Sequence, residues 1–329
     1  LFTARTSKTI RTISINSDIT EALTMDYNMQ YDQEIVSGKE GGVTVDLMDP
    51  ANSKALLIKK NKLVLGQGVT WKNLSQLWAD PNTSEIGCIA VDTEVNTNQL
   101  WMGRNGYINI NETGRVIMGP SDGMIKMRDY NNTLTVKGSL TKADDIRDFS
   151  KVEAQVDGGY VSVDGTPDAE QAWMSSSINL YNTYMKTTSI KNTGTGNFSM
   201  YLKNSALWVT GGDIELGANA LNSYLYVQNH SLVKVDGNLY MYGDSDKSQG
   251  HGLLVTDSTM TVNRLYNKGG DIQIKNATFD AGYLENNGTI SLSESADLSG
   301  IIAGNHVKFF TEDGKAFELT SRTGISIQT

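Results

Sequence analysis

The chain has 329 residues, with 28 Lys+Arg against 37 Asp+Glu and a formal net charge of −9. That balance, without a clustered basic patch, excludes a nucleic-acid partner, because backbone phosphates demand grouped cations. The single cysteine, Cys88, excludes a disulfide framework, and 3 histidines without zinc-ligand spacing imply neither a metal site nor a cofactor.

No run of about 18 apolar residues occurs, so membrane insertion is not expected. The chain starts at Leu1 without a charged-then-apolar leader and reads as a processed product or a fragment of something longer. Proline is rare, at 4 residues, while Gly, Asn, Ser and Thr are spread evenly. That composition suits many short strands joined by tight turns.

In chain order, residues 1–142 read as an irregular β-rich region. Ala55, Leu56, Leu57 and Ile58 face Lys62, Leu63, Val64 and Leu65 across Lys59-Lys60-Asn61, which predicts a hairpin. Residues 70–78, with Trp71, Leu74, Leu77 and Trp78, predict a short helix before Pro81. Residues 106–111 and 134–138 alternate and end in turn signals, as strands do. Residues 143–156 are the best helical stretch, with Thr141 placed to cap it, and they open a linker over 143–174.

A repeat begins at about residue 175. Its pattern is an apolar residue, any residue, Asn or Asp, then an apolar residue three positions on. Asn182, Asn204, Asn229, Asp257 and Asn276 occupy the anchor, followed by Met185, Leu207, Leu232, Met260 and Phe279. Glu294 is a degenerate sixth anchor, with Leu298 one residue late. A second apolar site trails each anchor: Ile190, Ile214, Leu239, Leu265, Leu284 and Ile302. Variable steps around a fixed local pattern mark a solenoid, whose core must keep register while its loops lengthen. Asn suits a corner because it tolerates the left-handed backbone region, and stacked amides can hydrogen-bond as a ladder. Val233-Lys234-Val235 is out of phase, which a β-bulge after Leu232 would explain.

Residues 303–329 carry a hairpin signature around Asp313-Gly314, fit to cap a solenoid end. The fold class is therefore all-β. It is a right-handed parallel β-solenoid, or β-helix, over 175–302, with the irregular N-terminal β region before it and a C-terminal hairpin cap after it.

No nucleophile elbow, phosphate loop or dinucleotide fingerprint is present. Polysaccharide cleavage needs two carboxylates about 5–9 Å apart, and the longest loop offers Asp244, Asp246 and His251, with Asp213 and Glu215 on the preceding coil. A solvated surface loop is the preferred reading of those residues, and the chain is read as not an enzyme. Alternation along the strands points Tyr201, Trp208, Tyr224, Tyr226, Tyr240 and Tyr242 outward, with Tyr201 and Tyr226 on adjacent coils. Such a face stacks on sugar rings or packs on a protein, or it is covered by another subunit or by residues 1–140.

Residues 229–239 and 275–292 resemble autotransporter adhesin passenger domains. Met102-Gly103-Arg104-Asn105-Gly106 and Ile117-Met118-Gly119-Pro120 are more similar to bacteriophage tail-fibre and tailspike sequences. The fibre resemblance implies a homotrimer on a virion tail that attaches to a host-surface glycan or outer-membrane protein. The adhesin resemblance implies a bacterial surface or secreted location. Twelve Met and 14 Tyr favour the fibre, and a polysaccharide-degrading β-helix enzyme is the third reading.

Overall fold

The computed structural model describes residues 7–302 except 22–26, 30, 49–54, 82, 120–121, 166–174, 218–221 and 243–250, together with three strands beyond residue 306. The chain is all-β, and its long strands run parallel from coil to coil. Each coil lays strands on three faces. The first face is a 14-stranded sheet running from Thr12–Ile15 to Ala316–Leu319. The second and third faces share one curved sheet, because strands such as Leu232–Met241 and Thr259–Asn267 bend across the corner between them.

The first face shows why these residues stack. Strand side chains alternate, so every second residue points into the coil. Leu202, Val227, Val255, Ile274 and Leu292 lie in successive register and are at most 1% exposed. The column continues backwards through Leu180, Val136, Ile110, Val91, Leu65 and Ile35 to Ile13. The third face repeats this, where Ile190, Ile214, Leu239, Leu265 and Leu284 are buried in successive register; Ile302 pairs with Leu284 through its backbone, and its side chain lies outside the described residues. Burying each such side chain contributes about 1.5–3 kcal/mol, so the inner columns dominate the stability.

The N-terminal region is thus β-rich as expected, but it is not separate. The coils begin at Thr12, and no boundary falls at residue 143. The coils of Leu65, Val91 and Ile110 hide the repeat because their corner turns one residue sooner and lacks the left-handed Asn. There Asp92 and Asn111 directly follow Val91 and Ile110, and the Asn111 amide donates to Asp92 at 2.7 Å.

Three local expectations are corrected. Ala55–Ile58 and Asn61–Leu65 form no hairpin: they lie on different faces, with a left-handed corner at Asn61 (φ 65°) between them. Residues 70–78 form no helix but belong to the strand Val69–Ala79. Its buried residues Trp71, Leu74 and Leu77 are spaced by three because the strand turns a corner, with Asn73 at φ 54° shifting the phase. Residues 143–156 contain only two 3₁₀ turns, Ala143–Asp145 and Phe149–Lys151. Thr141 caps neither, for Lys142 precedes the first turn without a side-chain bond and Asp148 caps the second.

That segment is a strap laid across the outside of the second face. Ala143, Ala154, Tyr184 and Ala206 form a small second core with Leu140, Ile146, Phe149, Val152 and Trp208. Its apolar spacing imitates a helix because an irregular strap also needs only every third or fourth residue turned inward.

The cap has the expected hairpin, Val307–Thr311 antiparallel to Ala316–Leu319. Gly324–Gln328 also pairs antiparallel with Asp297–Ile302. Both sheets therefore end on a reversed strand, which ends the parallel stacking on each. No helix among the described residues is long and apolar enough to cross a membrane.

Candidate functional site: the outer tyrosine face

Corner residues set the rotation of the outer side chains. Asn182, Asn204, Asn229, Asp257, Asn276 and Glu294 all have φ between 45° and 55°. Asn204 donates to Asn182 at 2.9 Å and Asn276 to Asp257 at 2.6 Å. Among the described residues no side-chain bond joins Asn204 to Asn229 or Asn229 to Asp257. The interruption has a cause. His230, also left-handed at φ 61°, is an extra corner residue, so Val233 and not Leu232 pairs with Leu207 and Met260. The phase shift thus lies before Leu232 and not after it.

The continuous ladder is one that the repeat pattern did not single out. The buried serines that follow the anchors run through the corner: Thr183 N donates to Ser205 Oγ at 3.3 Å, Ser205 N to Ser231 Oγ at 3.1 Å and Ser231 N to Ser258 Oγ at 3.1 Å. The signal was present in Asn204-Ser205, His230-Ser231 and Asp257-Ser258. Asn204 has a further task. It accepts from Ala143 N at 3.0 Å and donates to the Leu140 and Thr141 carbonyls at 3.0 and 3.1 Å, which ties the strap to the stack.

The structure divides the six candidate aromatics among three faces. Trp208 lies on the second face and is fully engaged. Phe149 of the strap sits 5.6 Å from it, Lys234 lies 4.9 Å from its ring centroid, and its Nε1 donates to Asp236 at 2.8 Å. Tyr240 and Tyr242 belong to the third face. There Tyr240 stacks on Tyr266 at 4.9 Å, Lys268 sits 5.0 Å from the Tyr242 ring and Arg264 lies 5.5 Å from Tyr283. Rings and cations on this face occupy one another.

Tyr201, Tyr224 and Tyr226 share the first face. Tyr201 and Tyr226 are in register and stack at 4.6 Å, with their planes 2° apart. Tyr224 stands beside Tyr226 on the same strand, centroids 5.7 Å apart. Burial pushes the Tyr226 hydroxyl above its ordinary pKa, with Tyr201 and Tyr224 adding to the shift. Towards the next coil Tyr224 faces Gly252, and Gly252 in turn faces Asp271. Beside them, Tyr226 is followed by Leu254 and Gln273. A depression of about 310 Å³ opens here, lined by Tyr224, Tyr226, Gly252, Leu254, Asp271 and Gln273 with Leu253 below. The sequence reading missed Gly252, Asp271 and Gln273, since only register places them beside the tyrosines.

A second, polar groove of about 470 Å³ follows the corner beyond the strap. Asp144 and His230 close one end of it, with Nδ1 3.2 Å from the carboxylate. Of the acidic candidates, Asp213 accepts from the Asn238 backbone and amide at 2.7 and 3.0 Å, and Glu215 pairs with Lys191 at 2.7 Å. Asp244 and Asp246 lie outside the described residues, as does the side chain of His251.

Fold and surface together define a parallel β-solenoid with an aromatic face. Comparison with protein-family models, curated proteins and solved structures finds no match for the chain. The functional reading rests on the chemistry of that surface.

Proposed function

We propose that the chain is a non-enzymatic attachment protein that holds a cell-surface partner on its first face. The observation that carries this is the rigid Tyr201–Tyr226 stack bordering an open depression. Aromatic rings held by a β scaffold give large contact area at low entropy cost. The strand spacing of about 4.8 Å repeats that contact along the axis, which suits an extended glycan or strand.

The test is binding of labelled protein to a panel of intact bacterial cells, with circular dichroism confirming the fold. Tyr226→Ala is expected to weaken binding about tenfold, equivalent to roughly 1.4 kcal/mol, a typical loss for a central interface aromatic. Trp208→Ala is expected to leave it unchanged. Normal binding by folded Tyr201→Ala, Tyr224→Ala and Tyr226→Ala variants would overturn the reading. The tail-fibre and adhesin-passenger readings both fit such a face, and mass in solution separates them, since the first implies a trimer and the second does not.

A further inference from the structure

On the first face the outer ladder lacks one rung. Tyr224, Gly252 and Asp271 occupy one position on three successive coils. Two strand spacings separate the outer pair, about 9.6 Å. Ring stacking on this same face takes 4.6 Å, as Tyr201 and Tyr226 show. A ring laid on Tyr224 therefore sits in the depression between it and Asp271. Gly252 has no need of its freedom for the backbone turn, because its φ lies outside the left-handed region. What it supplies is room for the Tyr224 ring, whose edge lies 3.2 and 3.4 Å from where a Cβ would stand, so that the ring leans over Gly252 and turns its other side to the depression.

The lining decides which ring. Asp271 and Gln273 are exposed and, among the described residues, make no ion pair or side-chain hydrogen bond. A carboxylate only accepts hydrogen bonds, while an amide both donates and accepts. The lining residues include no cation. An aromatic floor on one side, with hydroxyl-binding groups on the other, fits a ring with one C–H face and a rim of hydroxyls. With no cation among the described lining residues, the Asp271 carboxylate disfavours an anionic ring.

From this geometry we infer that the Tyr224–Gly252–Asp271 notch is a subsite for a single neutral pyranose ring. The ring stacks its C–H face on Tyr224, gives hydroxyl hydrogen bonds to Asp271 and exchanges them with Gln273. This rests on the attachment reading and names the chemistry of its partner.

The test is saturation-transfer NMR on the full chain with methyl β-glucopyranoside, methyl β-galactopyranoside, methyl α-mannopyranoside, glucuronate and p-cresol. At least one neutral hexoside is expected to bind in the millimolar range, as befits a ligand of about a dozen heavy atoms. Gly252→Val, which fills the missing rung, and Asp271→Ala, which leaves the backbone untouched, are each expected to weaken it at least tenfold. Glucuronate is expected to bind more weakly than the neutral hexosides. Silence from all three hexosides, glucuronate binding equal to theirs, or hexoside binding that survives both variants overturns the subsite. Binding of p-cresol alone overturns it in favour of an aromatic protein partner. Cell attachment without hexoside binding sinks the subsite and leaves the attachment reading standing, and hexoside binding without cell attachment does the reverse.

Discussion

The first and third faces display tyrosine clusters that overlap on the coil of Tyr224, Tyr226 and Tyr240, yet they are chemically different surfaces. On the third face Tyr240 and Tyr266 stack on each other, and Lys268 and Arg264 sit over Tyr242 and Tyr283. On the first face the series Tyr201, Tyr226 is followed by Leu254, and Tyr224 is followed by Gly252. One cluster closes on itself and the other ends at a gap. An exposed aromatic is therefore no evidence of a binding surface until its neighbours on the adjoining coils are known. Stacked pairs contribute about 0.5–1.5 kcal/mol beyond burial, so the third-face cluster has a sufficient explanation in stability alone.

The harshest way to break the comparison is to remove the scaffold that both clusters share. Val255 is fully buried between Val227 and Ile274. Val255→Asp places an unpaired charge in the core and is expected to cost on the order of 4–5 kcal/mol. The cooperative thermal transition should be lost or strongly lowered, and cell binding should go with it. A transition near the wild-type temperature would mean that the inner column is not the source of stability.

A milder break acts at the corner. Ser231→Ala leaves the buried Ser205 N–H without its acceptor, at a cost of about 1–3 kcal/mol. Denaturant unfolding should register that loss while hexoside binding stays at the wild-type level, because neither tyrosine cluster touches Ser231.

The sharpest separation of the faces comes from paired alanine variants. Tyr226→Ala and Tyr240→Ala each remove two ring stacks and should lower stability similarly, by about 1–3 kcal/mol. Only Tyr226→Ala should weaken cell binding. Equal loss of binding in both would show that the third face contributes.

The smallest effect is a pH dependence. Burial pushes the hydroxyls of Tyr184, Tyr226, Tyr240 and Tyr242 above their ordinary value, and the Asp157 charge adds to the shift at Tyr184. The folded chain thus holds these protons more tightly than the unfolded chain does. Their stabilisation is complete below about pH 10 and is lost as pH rises through the folded values. Denaturant midpoints at pH 9 and 11 should fall less for Tyr184→Phe than for wild type, since Tyr184 is shifted furthest. An unchanged difference would show that the hydroxyl under the strap ionises freely in the folded chain.

Alternation and the recurring anchor were enough to establish the parallel solenoid from 175 onward, its inner columns and the stacked placement of Tyr201 and Tyr226. Both signals are local: a strand's period of two and a corner's left-handed Asn can be read within a dozen residues. The early coils were not legible, because at Leu65, Val91 and Ile110 the corner falls one residue sooner and strands such as Val69–Ala79 turn a corner, giving buried residues a helix-like spacing. The inserted His230 shifted one coil by a residue, and only pairing with the coils on either side shows where. Which aromatics share a face, and that Gly252 and Asp271 adjoin Tyr224, was decided by register between strands about 20 to 30 residues apart. Loop lengths between coils are free, so distance along the chain carries no information about lateral neighbours. Only the stacked backbone hydrogen bonds supply it.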